Sequence, residues 1–470
     1  MTDDTGASRL DGMTSLALPR TATSATTNPA STAPTAPSTA TDPHPAPRRD
    51  HLIDLLRIAS AGVVVTMHWL STRVWVDGDG MHSTLALEGR TIFVLGWLLQ
   101  VMPVLFIAGG FANTKVVDSC RAKGQSATDY LGIRARRLTT PLVLLAAVIV
   151  PVTVVGNLMD PSIGAMLGDQ AARPLWFLAV YLVITAAAPL MVRAHDRSGL
   201  AVPAALLLLA LGLDLVRYEV GTLGGVNVGM LAMYTNLVVV WLFVHQLGII
   251  HARGVFARVP AWGLVAVAGA VAALITVMVD LVPWPAAMVG TAEDRDTNLL
   301  PPTVIIGLLG LVQMMVIALV SRATARWNPS TSTVQRIGVL NALMMVVYLW
   351  HVPVIATAIG IGLLAPDTLL PSDEATWWAM RPGWFLACGL LLLGITRLAV
   401  RWELFCARFA VSRQPVRVVL GALAATAGTF LVWQYGLLTT DPLAVTGLAL
   451  VLLGAAVLTT RERKAPVRLA

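Results

Sequence analysis

The segment HLIDLLRIASAGVVVTMHWL, residues 51–70, carries Asp54, Arg57 and His68 in an otherwise apolar run. A titratable side chain inside an apolar span costs several kcal/mol unless it meets a partner or a wet cavity, so each is a candidate for function. Asp54 and Arg57 are three residues apart and share a helix face, a spacing that permits an ion pair. Arg57 and His68 are eleven apart. At about 100° per residue they project from one face, about 16 Å apart along the axis. A guanidinium can hold an anion. A neutral imidazole deeper on the same stripe can take a proton from a hydroxyl, or carry a group covalently. Arg57 also reads as an arginine snorkelling to headgroups, and His68 as a histidine bonded to a neighbouring helix. Their alignment favours the chemical reading.

Four other segments hold polar groups of interest. In NALMMVVYLWHVPV, Tyr348 and His351 share a face just before Pro353. A structural cross-helix bond explains them about as well as a role in orienting a substrate. His245 and Gln246 lie in another apolar run, where packing is the stronger reading. In YLGIRARRLTTP, Arg134, Arg136 and Arg137 are expected in a loop just ahead of a helix that opens at Pro141. Three guanidiniums on one short segment suit a polyphosphate. Taken alone, the ordinary excess of basic residues in cytoplasmic loops explains them better. In QVMPVLFIAGGF, Pro103 invites a kink and Gly109–Gly110 permit close helix approach. No nucleotide-binding loop, serine-hydrolase elbow or zinc-protease motif occurs, and two deep histidines do not make a metal site.

These residues need helices in a membrane to position them. Of 470 residues, 56% are hydrophobic and 13% charged, against about 25% charged in soluble proteins; mean hydropathy is +0.73. A water-soluble fold is excluded, and three distant cysteines exclude a disulfide scaffold. The net charge of +7 lies in short clusters between apolar runs, which points to membrane topology and not to nucleic acid. The expected fold is all-α, a polytopic transmembrane bundle of about twelve spans: 52–74, 91–112, 139–158, 174–193, 199–217, 228–250, 260–282, 302–321, 337–363, 382–400, 416–436 and 441–459. With both termini in the cytoplasm, 25 of the 33 Lys and Arg residues fall on the inner side, six on the outer side and two, Arg57 and Arg397, within spans. Residues 1–49, rich in Ala, Thr, Ser and Pro, are expected to be a disordered tail without a signal peptide. The outer loops 283–301 and 364–381 are acidic and Trp-bearing, and no soluble catalytic domain is inserted.

In this order the motifs resemble the acyltransferase-3 family of integral membrane acyltransferases. Arg57 and His68 resemble its first-helix Arg–x10–His pattern. MPVLFIAGGF (102–111) is similar to its P-x-F-F-x-x-S-G-F segment, with Gly109 where the family usually has Ser. Arg134 and Arg137 fit R-x-x-R, PLWFL (174–178) resembles its W-F-L helix start, and YLWHVPV (348–354) its Y-L-x-H-x-P segment. The resemblance covers 50–405, leaving two added helices in 406–459 and a basic tail at 460–470. It implies a multi-pass cell-membrane enzyme. The acyl group, usually acetyl, would pass from cytoplasmic acyl-coenzyme A to a hydroxyl of a glycan, lipid-linked or small-molecule acceptor. No cofactor would be permanently bound. Arg57, Arg134 and Arg137 would meet the coenzyme A phosphates. His68 would act as general base or acyl carrier, and His351 and Tyr348 would orient substrate. Trp176 would be a stacking wall or an interfacial anchor. A secondary transporter is the alternative, because twelve spans with both ends inside suit a carrier. Against it, no internal repeat relates 50–250 to 260–460, and span seven has no counterpart of the Arg–His stripe.

Overall fold

The computed structural model describes residues 50–281, 284–290, 296–437 and 440–463. The expected tail 1–49, residues 283 and 291–295 of the loop 283–301, and residues 464–470 lie outside them. The described chain runs α1 His51–Ser71, β1 Thr72–Asp77, β2 Gly80–Leu85, α2 Gly89–Leu98, α3 Met102–Ala122, α4 Ala127–Met159, α5 Pro161–Ala172, α6 Leu175–Ser198 and α7 Ala201–Glu219. It continues with β3 Thr222–Leu223, β4 Val226–Asn227, α8 Val228–Ala252, α9 Val255–Arg258, α10 Ala261–Leu281, α11 Val304–Ala323, α12 Thr331–Gly362, α13 Pro366–Leu369 and α14 Glu374–Cys406. The remainder is β5 Phe409–Val411, α15 Pro415–Tyr435, α16 Pro442–Val457 and β6 Thr459–Arg463.

Among the described residues, eleven helical segments are long and apolar enough to cross a membrane. The twelfth expected span is the shorter helix α16, of 16 residues. Three further details differ from the sequence reading. The second span breaks at 99–101 into α2 and α3, and Pro103 sits in the first turn of α3, where its missing N–H leaves no bond unmade. The arginine cluster is helical, because α4 starts at a capping box of Ser126 and Asp129 and carries Pro141 in its interior. Residues 460–463, expected in a basic tail, belong with Thr459, expected at the end of the twelfth span, to β6, which pairs with β5. Side-chain caps also open α1 (Asp50), α12 (Ser330) and α14 (Asp373), supplying acceptors for N–H groups that have no partner within the helix.

The core lies where α3, α6 and α8 meet. Phe106 stacks on Trp241 at 4.4 Å and meets Phe177 edge-on at 5.1 Å. At one end of this group Arg253 of the α8 cap binds Asp118 of α3 at 2.6 Å and Asp196 of α6 at 2.9 Å. The backbones of α3 and α8 touch. A Cβ on Gly110 would fall on the His245 carbonyl oxygen, and one on Gly248 would meet the Ile107 carbonyl. Helix α1 is fixed to α12 near both ends: Asn341 donates to the Asp54 carbonyl at 3.3 Å, and the Trp69 indole donates to the His351 carbonyl at 2.9 Å. No side chain can be fitted at Gly110 without separating α3 from α8. Gly110→Val should therefore cost about 2 kcal/mol or more by overpacking, read as a lowered thermal midpoint in detergent; an unchanged midpoint would refute this packing.

Candidate active site

The polar residues of α1, α4, α6, α12 and α14 converge on a cavity of about 500 Å³. Arg57 and Ala61 of α1 form one wall, and Arg134, Arg136 and Arg137 of α4 another. Tyr181 and Phe177 of α6, Asn341 and Tyr348 of α12, and Glu403, Cys406 and Ala407 of α14 complete it with Val411 of β5. Arg57, Arg134 and Arg137 are therefore brought together with Tyr348. Arg137 and Arg57 keep accessible surface, as groups facing an open space should. Because α4 is helical here, Arg134 and Arg137 are one turn apart and present the same face.

Arg134 is held from behind. It donates to Asn113 Oδ1 at 2.5 Å and to the Tyr181 hydroxyl at 3.4 Å. Asn113 Nδ2 lies 3.1 Å from His245 Nε2. A guanidinium only donates, so the atom facing it is the amide oxygen; the amide nitrogen then donates to His245, whose proton resides on Nδ1. His245 is fully buried and supports Arg134 through Asn113 without lining the cavity. Arg136 donates to the carbonyls of Cys406 and Phe409. It thereby ties the end of α14 and β5 to α4 and closes that side of the cavity.

His68 and His351 are not among the residues lining this cavity. They meet each other instead, ring centroids 4.8 Å apart in a T-shaped arrangement. Tyr348 is the link, since it lines the cavity and its ring lies 5.5 Å from that of His351. The Tyr348 hydroxyl donates to the Pro174 carbonyl at 2.9 Å and Phe177 packs on the ring at 5.0 Å. His68 Nδ1 bonds the Val64 carbonyl at 2.8 Å and His351 Nδ1 bonds the Tyr348 carbonyl at 2.5 Å. A carbonyl can only accept, so both imidazoles carry the proton on Nδ1 and present a bare Nε2 when neutral. His351 Nε2 is buried without a hydrogen-bond partner, while His68 keeps an accessible face. Arg173, just before α6, lies within electrostatic reach of His68.

A second space, polar and of about 530 Å³, lies at the opposite end of α1 and α14. It is lined by Arg73 of β1, Thr84 of β2, Glu88 and Thr91 at the start of α2, and Glu374, Trp377 and Trp378 at the start of α14. Arg73 donates to the Ser372 carbonyl, and the Trp378 indole donates to Glu374 at 3.2 Å. Trp176 packs beside Trp241 in the core, at 6.0 Å.

Sequence reasoning missed Asn113, Tyr181 and Glu403 as site residues. Asn113 and Tyr181 are polar interruptions of apolar helices, but their facing was not readable without knowing which helices pack together. Compared with known proteins, residues 50–370 match the family model described as an acyltransferase domain. No curated protein and no solved structure matches the chain. If Asn113 is the bridge described, Asn113→Leu strips a partner from both Arg134 and His245. It should cost about 1–3 kcal/mol of stability, measured by unfolding in detergent; wild-type stability would argue against the bridge.

Proposed function

Because this chain belongs to the acyltransferase-3 family of integral membrane acyltransferases, we propose that it moves an acyl group, acetyl in the first instance, from acyl-coenzyme A to an acceptor hydroxyl. The reading is supported chiefly by three guanidiniums, Arg57, Arg134 and Arg137, that face one cavity whose Tyr348 wall packs on His351 of a histidine pair with bare Nε2 atoms. Phosphates are the natural ligands of such an arginine group, and coenzyme A carries three. Its phosphates would lie among the arginines and its pantetheine arm would run past Tyr348 toward His351 and His68. The arginine-rich end of the bundle would face the cytoplasm, where acyl-coenzyme A is found.

Transfer then needs one base. The acceptor oxygen attacks the thioester carbonyl while His68 Nε2 takes its proton. The carbon–sulfur bond breaks, and the departing thiolate recovers the proton from the imidazolium. The products are an ester and free coenzyme A. The Val64 carbonyl keeps the His68 proton on Nδ1, so the lone pair stays on the atom that must accept. His351, buried behind it, holds His68 in orientation through ring contact. In the two-step variant His68 Nε2 carries the acyl group between donor and acceptor. A rapid-quench search for acyl-histidine distinguishes the two.

Full-length protein in nanodiscs, supplied with labelled acetyl-coenzyme A and extracts as acceptor source, tests the reading. His68→Ala should lower kcat by about 10²–10⁴ with donor affinity retained. Arg134→Ala with Arg137→Ala should raise the donor KM tenfold or more at low salt, each lost charged bond being worth about 1.5–3 kcal/mol, and the difference from wild type should shrink as salt screens the contacts that wild type makes. Full activity of the His68 variant, or wild-type protein that never consumes the thioester, would refute it. The acceptor would be a polyhydroxylated molecule held by Arg73, Glu374 and Trp378 at the opposite end. Trp378→Ala should then raise the acceptor KM several-fold and leave the donor KM alone; the reverse pattern would move the acceptor elsewhere.

A further inference from the structure

Resting on the donor-site reading above, one feature of the cavity wall carries a more specific assignment. Position 109, where the related motif has Ser, is Gly here, and the space it leaves is filled from another helix. A Cβ built on Gly109 would lie 2.8 Å from Cε2 of Tyr181 and 3.0 Å from its hydroxyl. No real side chain sits that close, so the ring occupies its place only because residue 109 has none. The ring is further fixed by Phe177, stacked at 5.5 Å and 13°, and by Phe106 at 6.1 Å. Tyr181 is 7% exposed and lines the arginine cavity. Its oxygen accepts from Arg134 at 3.4 Å, which leaves its own O–H free to donate to an oxygen in the cavity.

We propose that Tyr181 supplies from α6 the hydroxyl that position 109 lacks, and that it is a positioning residue: with Asn113 it aims Arg134 at the phosphates of the acyl donor. Gly109 is the permissive half of the exchange. Asn113 and Tyr181 both accept from one terminal nitrogen of Arg134, so the guanidinium is presented with little freedom left to lose on binding.

A double-mutant cycle on the full-length protein in nanodiscs tests this, with coenzyme A as the probe and binding measured calorimetrically. Tyr181→Phe keeps the ring and its packing and removes only the oxygen. It should weaken coenzyme A binding about tenfold in the wild-type background and less than twofold in an Arg134→Ala background, since its effect runs through that arginine. An equal loss in both backgrounds, or no loss in either, overturns the proposal. Gly109→Ser alone should weaken binding at least as much as Tyr181→Phe, because it expels the ring. Gly109→Ser with Tyr181→Val, which returns a hydroxyl to α3 and clears the space, should bind within about threefold of wild type. A Gly109→Ser protein that binds normally overturns the exchange. Wild-type protein that does not bind coenzyme A removes the donor-site reading itself, a result distinct from wild type that binds while Tyr181→Phe binds equally well.

Discussion

A guanidinium cannot rest among apolar helices without acceptors or water, and in this bundle that constraint decides where the helices separate. Four arginines, Arg57, Arg134, Arg136 and Arg137, border one cavity. Each is accommodated differently. Arg136 is bonded to backbone carbonyls and is structural. Arg134 is braced by Asn113 and Tyr181. Arg57 and Arg137 face open space with accessible surface. The cavity lining sets four guanidiniums against the one carboxylate of Glu403, and an anionic substrate is a group that would balance it.

The two histidines show a complementary economy. Each uses the carbonyl of the preceding turn of its own helix to hold the proton on Nδ1, so no neighbouring helix is needed to set the tautomer. What α12 and α1 contribute to each other is distance and angle: the Trp69 bond to the His351 carbonyl fixes the two helices at the level where the rings meet. The cavity holds the charge and the histidine pair the bare nitrogen, with Tyr348 between them. In the proposed reaction, binding and chemistry would be separated along α12, with Asn341 and Tyr348 lining the cavity and His351 against His68.

Much of this was legible from one sequence. The apolar runs located the helices, and the eleven-residue spacing gave Arg57 and His68 a common face. Tyr348 and His351 followed from a three-residue spacing, and the arginine triplet announced itself by charge. Arg57 and His68 were expected on one face, yet only Arg57 lines the cavity, because helical periodicity reports a face and not how far a cavity extends along it. Asn113 and Tyr181 escaped notice because a polar residue in an apolar helix gains meaning only from its neighbour, and the pairing of α3 with α6 and α8 is set by small residues such as Gly109 and Gly110 that carry no chemistry of their own. The helical start of α4 was masked by Pro141, which reads as a helix opening. Glu403, Cys406, Ala407 and Val411 lie beyond the matched family region yet border the cavity; they arrive there through tertiary folding of α14 and β5 against Arg136, which no local pattern encodes.

The central claim is that the arginine cavity is where the acyl donor's phosphates sit. Cryo-electron microscopy of the full-length protein in nanodiscs with coenzyme A bound addresses it most directly. The expected density places phosphates against Arg57, Arg134 and Arg137, with the thiol end past Tyr348 near His351 and His68. Coenzyme A bound anywhere else, or a cavity occupied by lipid while coenzyme A is bound, would contradict it.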